Sequence, residues 1–361
     1  MKNLPLYLQI ANDIIKSICS GDLKPGERVL SESEICEKYR VSSITAKNAL
    51  IYLCDEGYIV RVKGKGSFVN SSDMLEKLPE YRISRHKRAI ARIKAIGLIV
   101  PTMKTKVDQE LLNAIELEIS KTGYSLLLNI TRESQEKESE AIRKFIHHGV
   151  SGLIIFPTEK ELYNEDILKL SIDQFPFVFV DRYLYGIKAN TVTSNNMEIT
   201  KYAVDLMIKK RGKNIVFVSP NSNNSVTTER VRGFQDALLD NNVPINRDNF
   251  CMVDLNIDAP EKKYLYIKSF LDRADNLDGI FCANQEMARL VMQILEDHYP
   301  KRIGQLELSC FDGIESRHFS YIRQNIPEIA RICVEILVGV INGETEIKNV
   351  TVPAEYISAK R

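Results

Sequence analysis

The sequence lacks a paired-cysteine motif, a long apolar segment and a strong excess of charge of one sign. Its seven cysteines are scattered without a C-x-x-C pair and its five histidines have no ligand spacing, so we expect reduced, mostly buried thiols, no metal site and no cofactor. The longest apolar runs, at 96–100 and 175–180, are only strand-sized, and the start of the chain has no signal-peptide core. We therefore expect a cytoplasmic protein that does not contact a membrane.

Sequence signatures of an enzyme are also missing. The chain contains no G-x-S-x-G, no H-E-x-x-H and no phosphate loop of the form G-x-x-x-x-G-K-[ST]. Nothing in these patterns indicates a nucleophile with its base or a catalytic metal. We expect a binding protein and not an enzyme.

Length and composition predict a globular protein of two or three compact units, because 361 residues with 44% hydrophobic and 27% charged content exceed one ordinary domain. The net charge of +1 conceals an asymmetry. Residues 1–94 carry 17 Lys or Arg against 11 Asp or Glu, a net charge of +6, so the remainder carries −5. Only the amino-terminal part is expected to attract a polyanion.

Residues 31–55 have the pattern of two short helices joined by a tight turn. Ser31 followed by Glu34 is a capping-box signature for a helix that runs to about Tyr39. From Ser42 onward, apolar residues recur at the spacing that buries one stripe of a helix, at Ala46, Ala49, Leu50 and Leu53. Any small helical domain can show these features, so their meaning depends on the segments around them.

A wing is predicted after the second helix. Two β-rich segments, 58–60 and 67–69, flank the tip Lys63-Gly64-Lys65-Gly66. A phosphate cradle is the alternative for this tip, but it lacks the required spacing and joins two strands instead of opening a helix. The order helix, helix, helix, wing, beginning with the amphipathic segment 4–20, indicates a module that reads DNA.

The polar face of the second helix is the expected reading surface. Near its start it presents side chains short enough to approach base edges or to bind phosphate in a major groove: Ser42, Ser43, Thr45, Lys47 and Asn48. The wing lysines, Lys63 and Lys65, are expected to lie along the DNA backbone.

Residues 1–70 resemble the winged helix-turn-helix domain of the GntR family. The resemblance rests on Pro5-Leu6-Tyr7-x-Gln9-Ile10, on residues 21–28 and on residues 31–69. It implies that double-stranded operator DNA is contacted by residues of the first motif helix, the recognition helix and the wing, here Ser33, Ser43, Ile44, Thr45, Lys47, Gly64 and Gly66. The family commonly has arginine at the positions of Ser33 and Ser43, so its usual operator sequence is not expected to carry over.

Residues 71–94 are predicted to form a linker, which ends in the basic and glycine-poor stretch 82–94. A segment this basic could lie along DNA and become ordered there. The alternative is a solvated, charged linker without a binding role.

From residue 95 the pattern changes to short apolar segments separated by helical stretches. The segments are 96–100, 125–129, 152–156, 177–180, 214–218, 279–282 and 306–310. This alternation predicts an α/β fold in which helices cover both faces of parallel sheet. No G-x-G-x-x-G follows a strand, so a dinucleotide-binding fold has little support.

Polar residues follow the predicted strands: Thr102, Asn129, Asp181, Arg182, Asn195, Asn284 and Asp312. Ligands of open α/β sheets bind beyond the carboxyl ends of the strands, and carboxylates with amides suit the vicinal hydroxyls of a polyol. The alternative is that each Asp or Asn is a turn or N-cap residue.

Residues 96–359 resemble the effector domain of LacI/GalR regulators, which has a two-lobed, periplasmic-binding-protein type I fold. The markers are Ile96-Gly97-Leu98-Ile99-Val100-Pro101, Val180-Asp181-Arg182, Arg230-x-x-Gly233-Phe234, Cys282-Ala283-Asn284, Phe311-Asp312-Gly313 and Ile322-Arg323-Gln324. The resemblance implies an effector domain over 95–361, with chain crossings between lobes near 191–198, 319–325 and 343–350. It implies that Asp181, Arg230, Asn284 and Asp312 bind ligand hydroxyls, and we add Arg182 and Asn195 as candidates.

A GntR-type head on a LacI-type sensor is the architecture of arabinose-repressor-like regulators of sugar catabolism. It implies a homodimer on pseudo-palindromic operator DNA, and a repressor controlled by a monosaccharide. Gln285 and Asn195 stand where the family often has Asp, so the ligand's identity is not implied. Two alternatives stay open: an effector such as a nucleoside or nucleobase, and a sugar-binding protein without a regulatory role.

Overall fold

The computed structural model describes residues 6–62, 64–75, 94–160, 163–257, 259–274 and 276–359. These residues form two compact units that divide between Ile93 and Lys94. The basic stretch of the predicted linker and Lys63 of the wing lie outside the described residues. No helix in the described ranges is both long and apolar enough to cross a bilayer.

The first unit contains the predicted helices and wing. Its elements are helices Leu6–Ser20 (α1), Glu32–Tyr39 (α2) and Ser43–Asp55 (α3), strands Ile59–Val62 (β1) and Gly66–Val69 (β2), and helix Ser72–Leu75 (α4). The predicted capping box is confirmed, because the Ser31 hydroxyl accepts from the Glu34 amide and the Glu34 carboxylate accepts from the Ser31 amide. Arg40, at φ 53°, ends α2 and turns the chain toward α3.

The core of this unit extends further along the chain than the sequence indicates. Ile10 and Ile14 of α1 pack with Ile35 of α2 and with the predicted apolar stripe of α3. Leu75, which the sequence analysis assigns to the linker, is also fully buried in this core. Burial of such a side chain stabilises a fold by about 1.5–3 kcal/mol, so α4 is an integral part of the unit.

The second unit has two lobes, each built on a six-stranded sheet. The sheet of the first lobe is entirely parallel and has the order β13-β7-β6-β5-β3-β4. Its strands are Ala95–Val100 (β3), Ser125–Ile130 (β4), Gly152–Ile155 (β5), Phe177–Val180 (β6), Asn190–Ser194 (β7) and Asn349–Val352 (β13). Its helices are Lys106–Ser120 (α5), Gln135–His147 (α6), Glu165–Ile172 (α7) and Ile326–Ile341 (α12).

The sheet of the second lobe has the order β14-β12-β11-β10-β8-β9, and only β14 runs antiparallel to its neighbour. Its strands are Ile215–Asn221 (β8), Phe250–Asp254 (β9), Gly279–Cys282 (β10), Glu307–Phe311 (β11), Phe319–Arg323 (β12) and Glu355–Ile357 (β14). Its helices are Asn196–Arg211 (α8), Ser225–Asp240 (α9), Pro260–Arg273 (α10) and Gln285–His298 (α11). All seven cysteines are free and four are buried, as expected from the sequence.

Three chain crossings connect the lobes. The first, at 194–196, and the second, at 323–326, confirm the predicted positions. The predicted third crossing at 343–350 is wrong, because β13 continues to pair with β7 as far as Val352. The third crossing is therefore the short segment between Val352 and Glu355.

Candidate functional site

The recognition helix α3 has the predicted division into a buried stripe and a polar face. The Ser42 hydroxyl accepts from the Thr45 amide and lies 2.9 Å from the Thr45 hydroxyl, so these two side chains organise the first turn. Ser43, Lys47 and Asn48 are exposed on the same end of the helix. Their contacts with DNA remain predictions.

The first motif helix and the wing lie beside this surface. Ser33 of α2 and Ser43 of α3 line one shallow depression between the two helices. Arg61 of β1 lies 3.4 Å from Glu32, which ties the wing to α2.

The wing tip depends on glycine. Gly64 has φ 75° and Gly66 has φ 113°, and L side chains rarely adopt these backbone conformations. A Cβ on Gly66 would lie 3.4 Å from Arg28 Nε. The exposed Lys65 between them can approach a phosphate without crowding.

Arg230 is the most deeply placed of the predicted effector residues. It lies on α9 and is 5% exposed. Its Nε donates to Asn196 Oδ1 at 3.0 Å, one terminal nitrogen donates to the Ala283 carbonyl at 2.7 Å, and the guanidinium lies 3.5 Å from the centroid of the Phe311 ring. These contacts lock the guanidinium at the carboxyl ends of β10 and β11.

Gly233 explains the spacing of the Arg230-x-x-Gly233 motif. A Cβ at this position would lie 2.2 Å from the Met197 carbonyl oxygen, so only glycine lets α9 approach α8 this closely. The close packing of the two helices brings Arg230, one turn earlier, against Asn196 at the start of α8. The glycine of the motif is therefore needed for helix packing, and this packing positions the charged side chain of Arg230.

Asp181 of the first lobe and Asp312 of the second interact electrostatically with Arg230. Each directly follows a strand and has a left-handed backbone, with φ 64° for Asp181 and 55° for Asp312. Burial raises the pKa of Asp312 to about 6, although Arg230 and a hydrogen bond from Gln324 lower it. Burial also raises the pKa of Asp181, with Arg182 and Arg230 opposing the shift. The structure thus brings two carboxylates and one guanidinium together.

Arg182 and Asn284 have local partners as well. The Arg182 guanidinium lies 4.9 Å from the Phe156 ring centroid and donates to the Pro157 carbonyl at 3.3 Å. Asn284 is the N-cap of α11 and its Oδ1 accepts from the Met287 amide at 3.0 Å. The N-cap alternative therefore holds for Asn284, and its contact with an effector remains a prediction.

The chain crossings are tied to one another and to the predicted site. Asn195 Oδ1 accepts from the Ala354 amide at 2.8 Å, which joins the first crossing to the third. Gln324, at the second crossing, accepts from the Ser194 hydroxyl at 2.6 Å and donates to Asp312 Oδ1 at 2.8 Å. The buried side chain of Gln324 thus connects Asp312, a predicted effector residue, with two crossings. Sequence reasoning gave Gln324 only as a family marker, because its two partners lie on distant segments.

Direct contacts join the lobes on the side where the strands end. The Tyr183 hydroxyl donates to Glu229 Oε1 at 2.9 Å and its amide donates to the Ser225 hydroxyl at 3.0 Å. Asn196 donates to Glu229 Oε2 at 3.0 Å while it accepts from Arg230. The two lobes are therefore in direct contact on this side, and the contact is continuous with Arg230 through Asn196 and Glu229. No sequence motif pointed to Tyr183, Asn196 or Glu229.

An open depression of about 660 Å³ lies elsewhere on the second lobe. It is lined by α11 and the loop after β11, with Arg289, Met292 and His318 among its residues. It shares no residue with the predicted effector set. Convergence of charge at the strand ends, and not cavity size, identifies the candidate effector site.

Comparison with known proteins agrees with both parts of the chain. Residues 96–345 match the family model of the periplasmic binding protein domain, and residues 6–69 match that of the bacterial regulatory proteins of the gntR family. The chain belongs to the regulators that join a GntR-type head to a LacI-like effector domain. Both resemblances inferred from the sequence are confirmed, and the protein is a DNA-binding transcriptional regulator with a domain for an effector.

Several relatives of this GntR-headed regulator have been named. The arabinose metabolism transcriptional repressor of Geobacillus stearothermophilus is 25% identical over 81% of this chain and 78% of its own length. The regulator GalR of Salmonella typhimurium is 24% identical over 65% of this chain and 68% of its own length.

Solved structures share the fold of the effector domain. The transcription regulator CcpA of Lactococcus lactis has a TM-score of 0.63 at 17% identity, covering 74% of this chain and 98% of its own. A periplasmic binding protein/LacI transcriptional regulator of Alkaliphilus metalliredigens, complexed with D-xylulofuranose, has a TM-score of 0.60 at 23% identity, covering 73% and 97%. At these identities the likeness shows the fold alone.

Proposed function

We propose that this regulator represses carbohydrate catabolism genes and that a monosaccharide bound between its two lobes controls operator binding. The observation that carries the proposal is the convergence of Asp181, Arg230 and Asp312 at the strand ends of both lobes. Carboxylates accept and a guanidinium donates, so the three groups together suit vicinal hydroxyls. The names of the arabinose repressor and of GalR, and the D-xylulofuranose complex, support the same ligand class.

The charge balance favours an uncharged sugar over a sugar phosphate or sugar acid. Three carboxylates, those of Asp108, Asp181 and Asp312, interact electrostatically in this region, against the guanidinium groups of Arg182 and Arg230. An anionic ligand would add to an existing excess of negative charge. Stacking of a nucleobase on Phe311 or Phe156 is disfavoured, because Arg230 covers one face of Phe311 and Arg182 lies over Phe156.

The proposal includes a homodimer, because two heads are needed for a pseudo-palindromic operator. Exposed apolar side chains on the first lobe support self-association. Leu127 and Leu128 of the edge strand β4 are 38% and 42% exposed, and Leu117 of α5 is 56% exposed. A regulator that binds chromosomal DNA acts in the bacterial cytoplasm, so the expected location is part of the proposal.

A binding screen on the full chain tests the effector class. Isothermal titration with L-arabinose, D-galactose, D-ribose and D-xylulose, with their phosphates and with nucleosides, is expected to give heat for an uncharged sugar. Arg230→Lys and Asp312→Asn are expected to weaken that binding at least tenfold, while Arg289→Ala, on the exposed face of α11, leaves it unchanged. Binding of nucleosides alone, or of none of these compounds, contradicts the proposal.

A further inference from the structure

Ile44 is an apolar side chain in an unusual place. It is 73% exposed, more than any other large apolar side chain among the described residues. It is the second residue of α3, and its neighbours Ser43, Lys47 and Asn48 are polar and exposed. A single exposed apolar residue is common on protein surfaces, so its position in the recognition helix is what gives it meaning.

The first turn of a recognition helix is the part that meets base edges in the major groove. Among the four bases, only thymine presents an apolar group there, its C5-methyl. The hydroxyls of Ser42 and Thr45 are engaged with each other and with the helix amide, so they organise the turn. Ile44 is the apolar side chain of this turn that projects into solvent.

We propose that Ile44 packs against the C5-methyl group of a thymine, once in each half-site if the proposed homodimer binds the operator, so that the regulator prefers an A·T pair at that position. Asn48 lies one turn further along the same face and is exposed, and its amide suits the N6 and N7 edge of adenine. Ser33 and Ser43 cannot read guanine as arginine does. Ile44 and Asn48 therefore offer a methyl contact and an amide that suit A·T pairs.

Replacing thymine by deoxyuridine removes only the methyl group and so tests the contact directly. Duplexes are first selected from a random pool with the full chain, and each thymine of the recovered half-site is then replaced in turn. One position per half-site is expected to lose about fourfold in affinity, the value of one buried methyl group. Substitution in both half-sites is expected to multiply the two losses.

Protein variants complete the test. Ile44→Ala is expected to weaken binding to the thymine duplex by a similar factor and to bind the thymine and deoxyuridine duplexes equally. Ile51→Ala, a matched isoleucine on the same helix that is 38% exposed, and Lys47→Ala are expected to keep the preference for thymine. Circular dichroism melting of each variant shows that the fold is retained.

Three results would overturn the inference. The first is that the selected half-site has G·C at every specified position or that no half-site is enriched. The second is that no deoxyuridine substitution changes the affinity for DNA. The third is that Ile44→Ala still binds the thymine duplex more tightly than the deoxyuridine duplex. If Ile44→Ala weakens binding to the thymine duplex and to the deoxyuridine duplex by the same factor, the variant still prefers thymine. Ile44 then does not contact the thymine methyl group. These outcomes do not depend on the identity of the effector.

Discussion

At the residue scale, the buried, ionised carboxylate of Asp312 lowers the stability of the folded protein. Burial raises its pKa to about 6 from the ordinary 3.8 of a free carboxyl group. Since the pKa in the folded state is higher than in the unfolded state, the stability that this group contributes is present below about pH 4 and is lost as the pH rises through about 6. A carboxylate kept ionised in such a place is typical of a group retained for binding.

Asp312→Asn should therefore stabilise the ligand-free protein at pH 7.5 while weakening the proposed sugar binding. The gain in free energy of unfolding over wild type is expected to be on the order of 1–3 kcal/mol greater at pH 7.5 than at pH 4. Urea unfolding at the two pH values measures it. If the difference in free energy of unfolding between Asp312→Asn and wild type is the same at both pH values, the pKa of Asp312 is not raised in the folded protein.

Replacing Arg230 is expected to destabilise the protein, in contrast to replacing Asp312, because Arg230 is the buried positive charge near the two carboxylates. Arg230→Ala removes a buried cation that favours the ionised forms of Asp181 and Asp312 and breaks its bonds to Asn196 and Ala283, so it is expected to destabilise the protein by about 3–5 kcal/mol at pH 7.5. Adding Asp312→Asn to Arg230→Ala should recover part of that loss, since one unpaired charge is then removed. Urea unfolding of the two single variants and the double variant tests this, and strictly additive losses would contradict it.

At the element scale, the ends and crossings of the strands connect the site to the rest of the sensor. Ser194→Ala removes the bond to Gln324 at the first crossing and leaves the bond from Gln324 to Asp312 intact. Sugar affinity is expected to stay within about threefold of wild type, because a neutral hydrogen bond contributes only about 1 kcal/mol. The response of operator binding to sugar is expected to fall. Thr191→Ala, which breaks a bond to Asn349 at the start of β7, is the matched control.

The elements that could be predicted from the sequence were those with continuous apolar runs. All seven predicted strands are present. Six of them are buried on both faces, and the seventh, the edge strand β4, was found from its run of three leucines at 126–128. Strands β9, β13 and β14 were missed because they are edge strands, and β7 and β12 because they mix polar residues into the run. Edge positions accept polar side chains, so the apolar signal is weak there.

The residues of the candidate site also divide into those that the sequence could predict and those that it could not. Asp181 and Asp312 could be found because a polar residue directly after a strand lies at the sheet edge where ligands bind. Gln324, Asn196 and Tyr183 could not, because their partners are 12 to 130 residues distant in the chain and are set by packing of the two lobes. Leu75 was placed in the linker because a four-residue helix has no periodicity to read.

At the scale of the whole molecule, the chain carries a DNA-reading head and a two-lobed sensor, and we propose that a small molecule bound between the lobes links them. The lobes share a hydrogen bond between Tyr183 and Glu229, so a ligand that bridges Asp181 and Asp312 would add to contacts that the lobes make without it. Coupling between two such sites is typically worth about 1–3 kcal/mol, or 5-fold to 150-fold in affinity. Linkage requires that operator DNA change the affinity for sugar by the same factor.

Operator affinity of the full-length protein with and without the bound sugar tests this claim most directly. We expect operator affinity to change by about 5-fold to 150-fold at fixed salt, and sugar affinity to change by the same factor when operator is added. Arg230→Lys should bind operator but no longer respond to sugar. A wild-type protein that binds both ligands with affinities independent of each other would contradict the account.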